Sequence, residues 1–201
     1  RDLIDTIQGG TIDVATTVTV KSVVVTSPVF VDPDSGGGTV FVEEPEAGQY
    51  SGISLYLWSE VSAGVSLQPG DVVDITGEYQ EFFEVSQLVV KNVGDITVVS
   101  SGAPIPGPDV VAAADVARTN FDAEPWEGVR IRVAPATILE ANDGFGQYVL
   151  VGDALVGNLF VDPLPDVLVG GTFSSITGAL HFSYGEFKIL PASLDDLPGY
   201  M

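Results

Sequence analysis

Cysteine is absent from the 201-residue sequence, and histidine occurs once, as His181. Without cysteine the chain can form no disulfide, no thiolate metal site and no thiol nucleophile. One histidine cannot supply the histidine pair of a zinc site. The apolar runs are shorter than the roughly 18–20 residues that a membrane-spanning helix needs. These absences remove several common kinds of site before any motif is considered.

Basic residues are also scarce, since 7 Lys and Arg stand against 28 Asp and Glu, for a formal net charge of −21. Nucleic-acid-binding proteins normally carry a basic face because they must neutralise phosphates. The one local basic cluster is Arg130 and Arg132. The charge therefore argues against nucleic acid or an anionic membrane as a partner, and we expect no small-molecule substrate. Such a surface favours solubility.

Strand-forming residues dominate what is present, with Val and Ile interrupted by 23 Gly and 13 Pro. The segment Gly70–Gly77 returns as Gly171–Gly178 at a constant spacing, which then continues without a gap. In that alignment Phe83 corresponds to Tyr184. A repeat of this length is a whole domain rather than a solenoid unit. The chain therefore reads as a tandem duplication.

The duplication predicts two all-β domains, at residues 1–100 and 126–201, joined by a Pro/Gly/Ala-rich connector at 101–125. Each domain offers about five strands, which favours a Greek-key barrel of the OB-fold type. An immunoglobulin-like sandwich is the alternative, but it needs about seven strands. Gly77 and Gly178 lie within strands, where a barrel strand must bend.

Periodicity sets the expected elements inside these domains. We expect a short helical turn or an extended lead-in around Leu3, Ile4 and Ile7, and a helix at 110–117. Alternation predicts strands at 14–25, 39–43, 52–58, 72–79, 86–90, 96–99, 129–133, 148–151, 158–161, 172–179 and 187–190.

Four motifs point to a known family. The segments 18–24, 50–56, 69–77 and 124–133 read Val-Thr-Val-Lys-Ser-Val-Val, Tyr-Ser-Gly-Ile-Ser-Leu-Tyr, Pro-Gly-Asp-Val-Val-Asp-Ile-Thr-Gly and Glu-Pro-Trp-Glu-Gly-Val-Arg-Ile-Arg-Val. They resemble tandem OB-like domains of exported bacterial proteins, which occur beside extracellular nuclease domains and in surface proteins. The resemblance implies the fold and export, and the beginning of the chain at Arg1 agrees with a processed protein. We therefore expect an extracellular or cell-surface location.

Catalysis is not expected. His181 is the only candidate base for a nucleophilic triad, and Gln80 stands at its position in the first copy. Calcium is the one metal worth considering, because Asp32 and Asp34 precede a glycine turn and Glu43 follows closely. We otherwise expect no cofactor.

Aromatic residues mark the same hairpin in both copies, as Phe82 and Phe83 in the first and Phe182 and Tyr184 in the second. Such residues either stack on bases or sugars or pack in the core. Trp58 and Trp126 are expected in the core or at a contact between domains.

These observations predict a non-catalytic exported structural or adhesive protein. Its partners would be copies of itself, in an extracellular fibre for example, or another surface protein. The alternative is an accessory substrate-binding module of a secreted nuclease or carbohydrate-active enzyme. A divalent-cation-dependent enzyme ranks third.

Overall fold

The computed structural model describes residues 4–201, so the part of the lead-in predicted at Leu3 lies outside the described residues. The chain divides after Gly107 into two compact units, residues 1–107 and 108–201. This division lies within the connector predicted at 101–125. No helix formed by the described residues is long and apolar enough to cross a membrane.

The first unit is a barrel built on five main strands. The strands are β1 (Thr17–Val25), β2 (Phe30–Val31), β3 (Gly38–Glu43), β4 (Gly52–Leu57), β5 (Val72–Phe82), β6 (Val85–Val90) and β7 (Ile96–Ser100). The strand order is β1-β3-β4-β6-β5, and β5 pairs with β1 to close the ring. All neighbours are antiparallel except β4 and β6, which are parallel. The helices are Ile4–Thr6, a π-helical turn at Ile7–Thr11, Ser59–Gly64 and a 3-10 turn at Val93–Asp95.

Apolar residues at every second strand position fill this barrel, and they include Val40, Ile53, Ile75 and Leu88. The lead-in residues Ile4 and Ile7 join the same cluster, and both are fully buried. Because side chains alternate between the two faces of a strand, the residues between these positions lie on the outside of the barrel.

The second unit repeats the connectivity with more broken strands. The strands are β8 (Asp109–Val110), β9 (Arg130–Val133), β10 (Ala136–Glu140), β11 (Tyr148–Leu150), β12 (Leu155–Val156), β13 (Thr172–Phe173), β14 (Ile176–Ser183) and β15 (Glu186–Leu190). Two barrel strands are each interrupted once. β9 and β10 are the halves of the first, broken at Ala134-Pro135, and β13 and β14 are the halves of the second, broken at Ser174-Ser175. The 3-10 turns are Ala113–Val116, Phe121–Trp126 and Leu194–Asp196.

Equivalent strands pair in the same way in both units. β12 runs parallel to β15 as β4 does to β6, and β14 is antiparallel to β15 as β5 is to β6. The predicted all-β fold, with OB-like Greek-key barrels, is confirmed. Gly77 and Gly178 lie where strands approach closely. A Cβ at Gly77 would be 3.2 Å from the Val89 carbonyl oxygen, and one at Gly178 would collide with the Leu190 carbonyl group.

Some predicted elements are wrong. The helix at 110–117 is only the 3-10 turn Ala113–Val116, since Ala112 is extended and Asp115 accepts a hydrogen bond from its N–H. The strand expected at 158–161 is absent, and the pairing residues are instead Leu155–Val156. Trp58, expected in the core or at a contact between domains, is not in the core, since it is 47% exposed. Strand β10 and the helix Ser59–Gly64 were not predicted.

Candidate functional site: the β14–β15 hairpin and its neighbouring loop

Both barrels end their longest hairpin in the same tight turn. Phe83 and Glu84 have φ of 49° and 66°, and Tyr184 and Gly185 have φ of 55° and 80°. Positive φ at both central residues is the signature of a type I′ turn, whose twist matches that of the flanking strands. The turn carries an aromatic ring into solvent in each barrel, with Phe83 82% and Tyr184 98% exposed.

The predicted aromatic platform is only partly on the surface. Phe82 and Phe83 are both exposed, with ring centroids 4.7 Å apart in an edge-to-face arrangement. Phe182 is instead buried, and its ring lies 4.9 Å from that of Phe187 and 6.1 Å from that of Phe121. It shares the inward face of β14 with Gly178 and Leu180, so the prediction that Phe182 belongs to the platform is wrong.

One row of side chains lies on the face of the second barrel opposite Leu180 and Phe182, and three of its four members are buried. His181 pairs with Lys188, Lys188 pairs with Leu155, and Leu155 pairs with Val149. Residues paired in this way lie side by side on one face of a sheet. The row therefore joins β14, β15, β12 and β11 just below the hairpin turn.

Lys188 links this row to the exposed ring. Its Nζ lies 5.4 Å from the centroid of the Tyr184 ring, within the range of a cation–π interaction. Burial lowers the pKa of Lys188, and Glu186 and Asp143 act in the opposite direction. The ammonium group thus lies within cation–π range of a ring that stays 98% exposed.

A second exposed ring comes from the loop between β10 and β11. The Asp143 carboxylate accepts hydrogen bonds from the Phe145 N–H at 2.8 Å and the Gln147 side-chain amide at 2.9 Å. Asn142 accepts from the Gly144 N–H at 2.7 Å. This internal bonding orders the loop while Phe145 stays 79% exposed. No pattern in the sequence distinguishes Phe145 as an exposed ring.

The rings of Phe145 and Tyr184 lie on two particular loops of the barrel. Phe145 is on the loop between the first and second barrel strands, and Tyr184 is on the loop between the fourth and fifth. OB-folds bind oligonucleotides and oligosaccharides with these two loops. Asp143, on the first of these loops, and Glu186, next to the second, both act to raise the pKa of Lys188.

His181 is half-buried with its Nδ1 atom buried. Burial, and then the charge of Lys188, lower the pKa of His181 to about 4. The imidazole is therefore neutral at neutral pH, beside a charged lysine.

The first barrel places different residues in the equivalent row. Gln80 pairs with Gln87, Gln87 with Ser54, and Ser54 with Phe41. Gln87 thus stands where the second barrel has Lys188, so this row carries no cation. Phe41, on the same outer row, is fully buried.

Two of the three carboxylates of the predicted calcium site, those of Asp32 and Glu43, accept hydrogen bonds from the protein. Asp32 accepts from the N–H groups of Asp34 and Ser35, and these bonds, with Ser35 the largest cause, lower the pKa of Asp32. Glu43 is fully buried and accepts from the Ser51 hydroxyl at 3.2 Å. Among residues 4–201, no group of three or more His, Asp or Glu side chains could hold a metal ion. Calcium binding by Asp32, Asp34 and Glu43 stays a prediction.

Some solved structures resemble this chain at low similarity. No protein-family model and no curated protein matches the sequence. The second OB-fold domain of replication protein A from Methanococcus maripaludis is 17% identical, with a TM-score of 0.28 over 45% of this chain and 89% of that one. A murine DNA-binding protein in complex with double-stranded DNA is 11% identical, with a TM-score of 0.37 over 92% and 97%. The HINb domain of p204 is 10% identical, with a TM-score of 0.36 over 85% and 95%. At these identities the likeness concerns the fold alone.

These comparisons contradict the function predicted from the sequence. The three structures are a domain of replication protein A, a DNA-binding protein bound to DNA and the HINb domain of p204, whereas the sequence predicted a self-associating structural or adhesive protein, or a module of a secreted nuclease or carbohydrate-active enzyme. The predictions of function and of partners, including the exclusion of nucleic acid, are therefore wrong. Net charge describes the whole surface, whereas recognition is decided by a small site.

Proposed function

We propose that this protein binds single-stranded nucleic acid at the β14–β15 hairpin of the second barrel. The observation that carries the proposal is the Tyr184 ring, almost fully exposed, with the Lys188 ammonium against one face. The other face is open to a nucleobase. Phe145 on the neighbouring loop offers a second ring for the next base.

Stacking is the interaction that such a site can supply. A base stacked on an aromatic side chain contributes about 1–3 kcal/mol to binding, whatever the base. Bases of a duplex are already stacked on one another, so their faces are closed to Tyr184. The site therefore favours single strands over duplex and shows little preference among sequences.

Equilibrium binding tests the proposal. Fluorescence anisotropy with a labelled thymidine oligomer of about 15 nucleotides matches the usual site size of an OB-fold. Tyr184→Asn removes the ring, while Asn followed by Gly185 is a strong type I′ sequence that keeps the turn. We expect the Kd to rise about tenfold or more, in line with the loss of one stacked base.

Phe83→Asn is the matched control, since it makes the same change at the equivalent turn of the first barrel. We expect this variant to bind within about twofold of the unmodified protein, because its row lacks a cation to hold the ring. Undetectable binding by the unmodified protein, or equal affinity of the Tyr184→Asn variant, would contradict the proposed function.

The proposal involves binding alone, outside the cell, with no catalytic step and no cofactor. Replacement of His181 by Gln80 in the other copy supports the lack of catalysis, and the resemblance to exported tandem OB-like domains supports the location. A chelator of divalent cations should accordingly leave the affinity for the thymidine oligomer unchanged.

A further inference from the structure

We infer that this site recognises its ligand through the bases, and that an uncharged backbone binds more tightly than a phosphodiester one. The inference rests on the proposed function and specifies which part of the ligand the site reads. In most nucleic-acid-binding proteins phosphate contacts supply much of the affinity. A preference for an uncharged backbone is the opposite of that usual case.

Cations of the second unit are already engaged. Arg118 pairs with Asp153 at 2.7 Å and lies 3.8 Å from Glu186, and Arg130 pairs with Asp196 at 2.8 Å. The Arg132 Nε donates to the Thr177 hydroxyl at 3.0 Å. The ion pairs of Arg118 and Arg130 would have to weaken before either cation could offer its full charge to a phosphate.

Lys188, the remaining cation of this unit, is held within the site. It is 9% exposed, and its ammonium lies on the Tyr184 ring. Its role is therefore to position the ring, and the ring contacts the ligand.

Carboxylates surround the same place. Asp143 is on the loop that carries Phe145, and Glu186 follows the turn that carries Tyr184, so each lies within two residues of a ring that would contact the bases. The whole chain adds a formal charge of −21. A phosphodiester strand therefore meets repulsion that an uncharged strand does not, and salt screens this repulsion.

The experiment compares two ligands that differ only in backbone charge. One is a thymidine oligomer of about ten nucleotides, and the other is the same oligomer with methylphosphonate linkages. At about 10 mM salt, where the Debye length is about 30 Å, we expect the uncharged oligomer to bind about fivefold more tightly. At about 150 mM salt the difference should fall to within about twofold.

Lys188→Gln separates ring positioning from phosphate binding, with Lys21→Gln as the matched change of charge at an exposed site of the first barrel. Because Lys188 positions the ring, its loss should weaken both oligomers by a similar factor, and Lys21→Gln should leave both within about twofold. Weaker binding of the uncharged oligomer at low salt, or a Lys188→Gln effect confined to the phosphodiester oligomer, would overturn the inference and leave the proposed function standing. If neither oligomer binds, the proposed function fails as well.

Discussion

The two barrels share a hairpin turn and differ in what lies beneath it. Both turns have positive φ at their two central residues and both expose an aromatic ring. Under Tyr184 the row begins with His181 and Lys188, whereas under Phe83 it begins with Gln80 and Gln87. The duplication therefore retained the scaffold of a binding hairpin in both copies but gave only one of them a charged support for the ring.

The nearby lysine of the first barrel is used in another way. Lys91 pairs with Glu78 at 2.7 Å, and this bond lowers the pKa of Glu78. Its Nζ also lies 5.7 Å from the centroid of the Trp58 ring. A cation near an aromatic ring is thus present in both barrels, but only in the second does the ring stand at the tip of the hairpin.

The largest effect on stability is expected from replacing His181, which lies in the row of the second barrel and has Gln80 as its counterpart in the first. His181 has a pKa of about 4 in the folded chain, while an unfolded histidine titrates near 6.5. Between these values the unfolded chain binds a proton that the folded chain does not, so stability falls as the pH falls. His181→Gln introduces the residue that the first barrel has at this position, Gln80, and should remove this pH dependence. The dependence amounts to a loss of at most about 2 kcal/mol in the free energy of unfolding between about pH 6.5 and about pH 4.5.

Denaturant unfolding at about pH 6.5 and about pH 4.5 measures this difference. Trp126 lies in the second unit and Trp58 in the first, so Trp58→Phe leaves a reporter for the second unit alone. The carboxylates contribute equally in both proteins and cancel in the comparison. Identical pH dependence with and without His181 would show that the imidazole is not held in its neutral form.

A smaller effect should follow from exchanging the second residue of the two turns. Glu84 adopts a left-handed conformation that suits glycine, which the second barrel has as Gly185. Glu84→Gly should stabilise the first barrel by about 1 kcal/mol, and Gly185→Glu should destabilise the second by a similar amount. Denaturant unfolding in single-tryptophan backgrounds measures each barrel. Equal stability of all variants would mean that the turns tolerate both residues without strain.

Much of the scaffold could be predicted from the sequence, because barrels impose alternation and the duplication shows it twice. Strand β10 could not, since Pro135 interrupts the run that leads into it. Alternation from Gly178 places Phe182 in the core, on the same face of β14 as Leu180.

The site could not be predicted from the sequence, because its contacts depend on which residues face each other across paired strands. Nothing in the sequence shows that Lys188 lies beside Leu155 and beneath Tyr184, because these contacts join separate strands. Phe145 lies in an irregular loop, where no periodicity distinguishes an exposed ring from a buried one. Chemistry that depends on neighbours across a sheet is visible only once the sheet is assembled.

The central claim is that a nucleobase stacks on the second hairpin, and crosslinking tests it most directly. A thymidine oligomer carrying a single 5-iodouracil can be irradiated with the intact protein, and the linked residue identified by mass spectrometry. The account predicts crosslinks to Tyr184 and Phe145. Crosslinks confined to Phe82 and Phe83, or none in the second barrel, would contradict it.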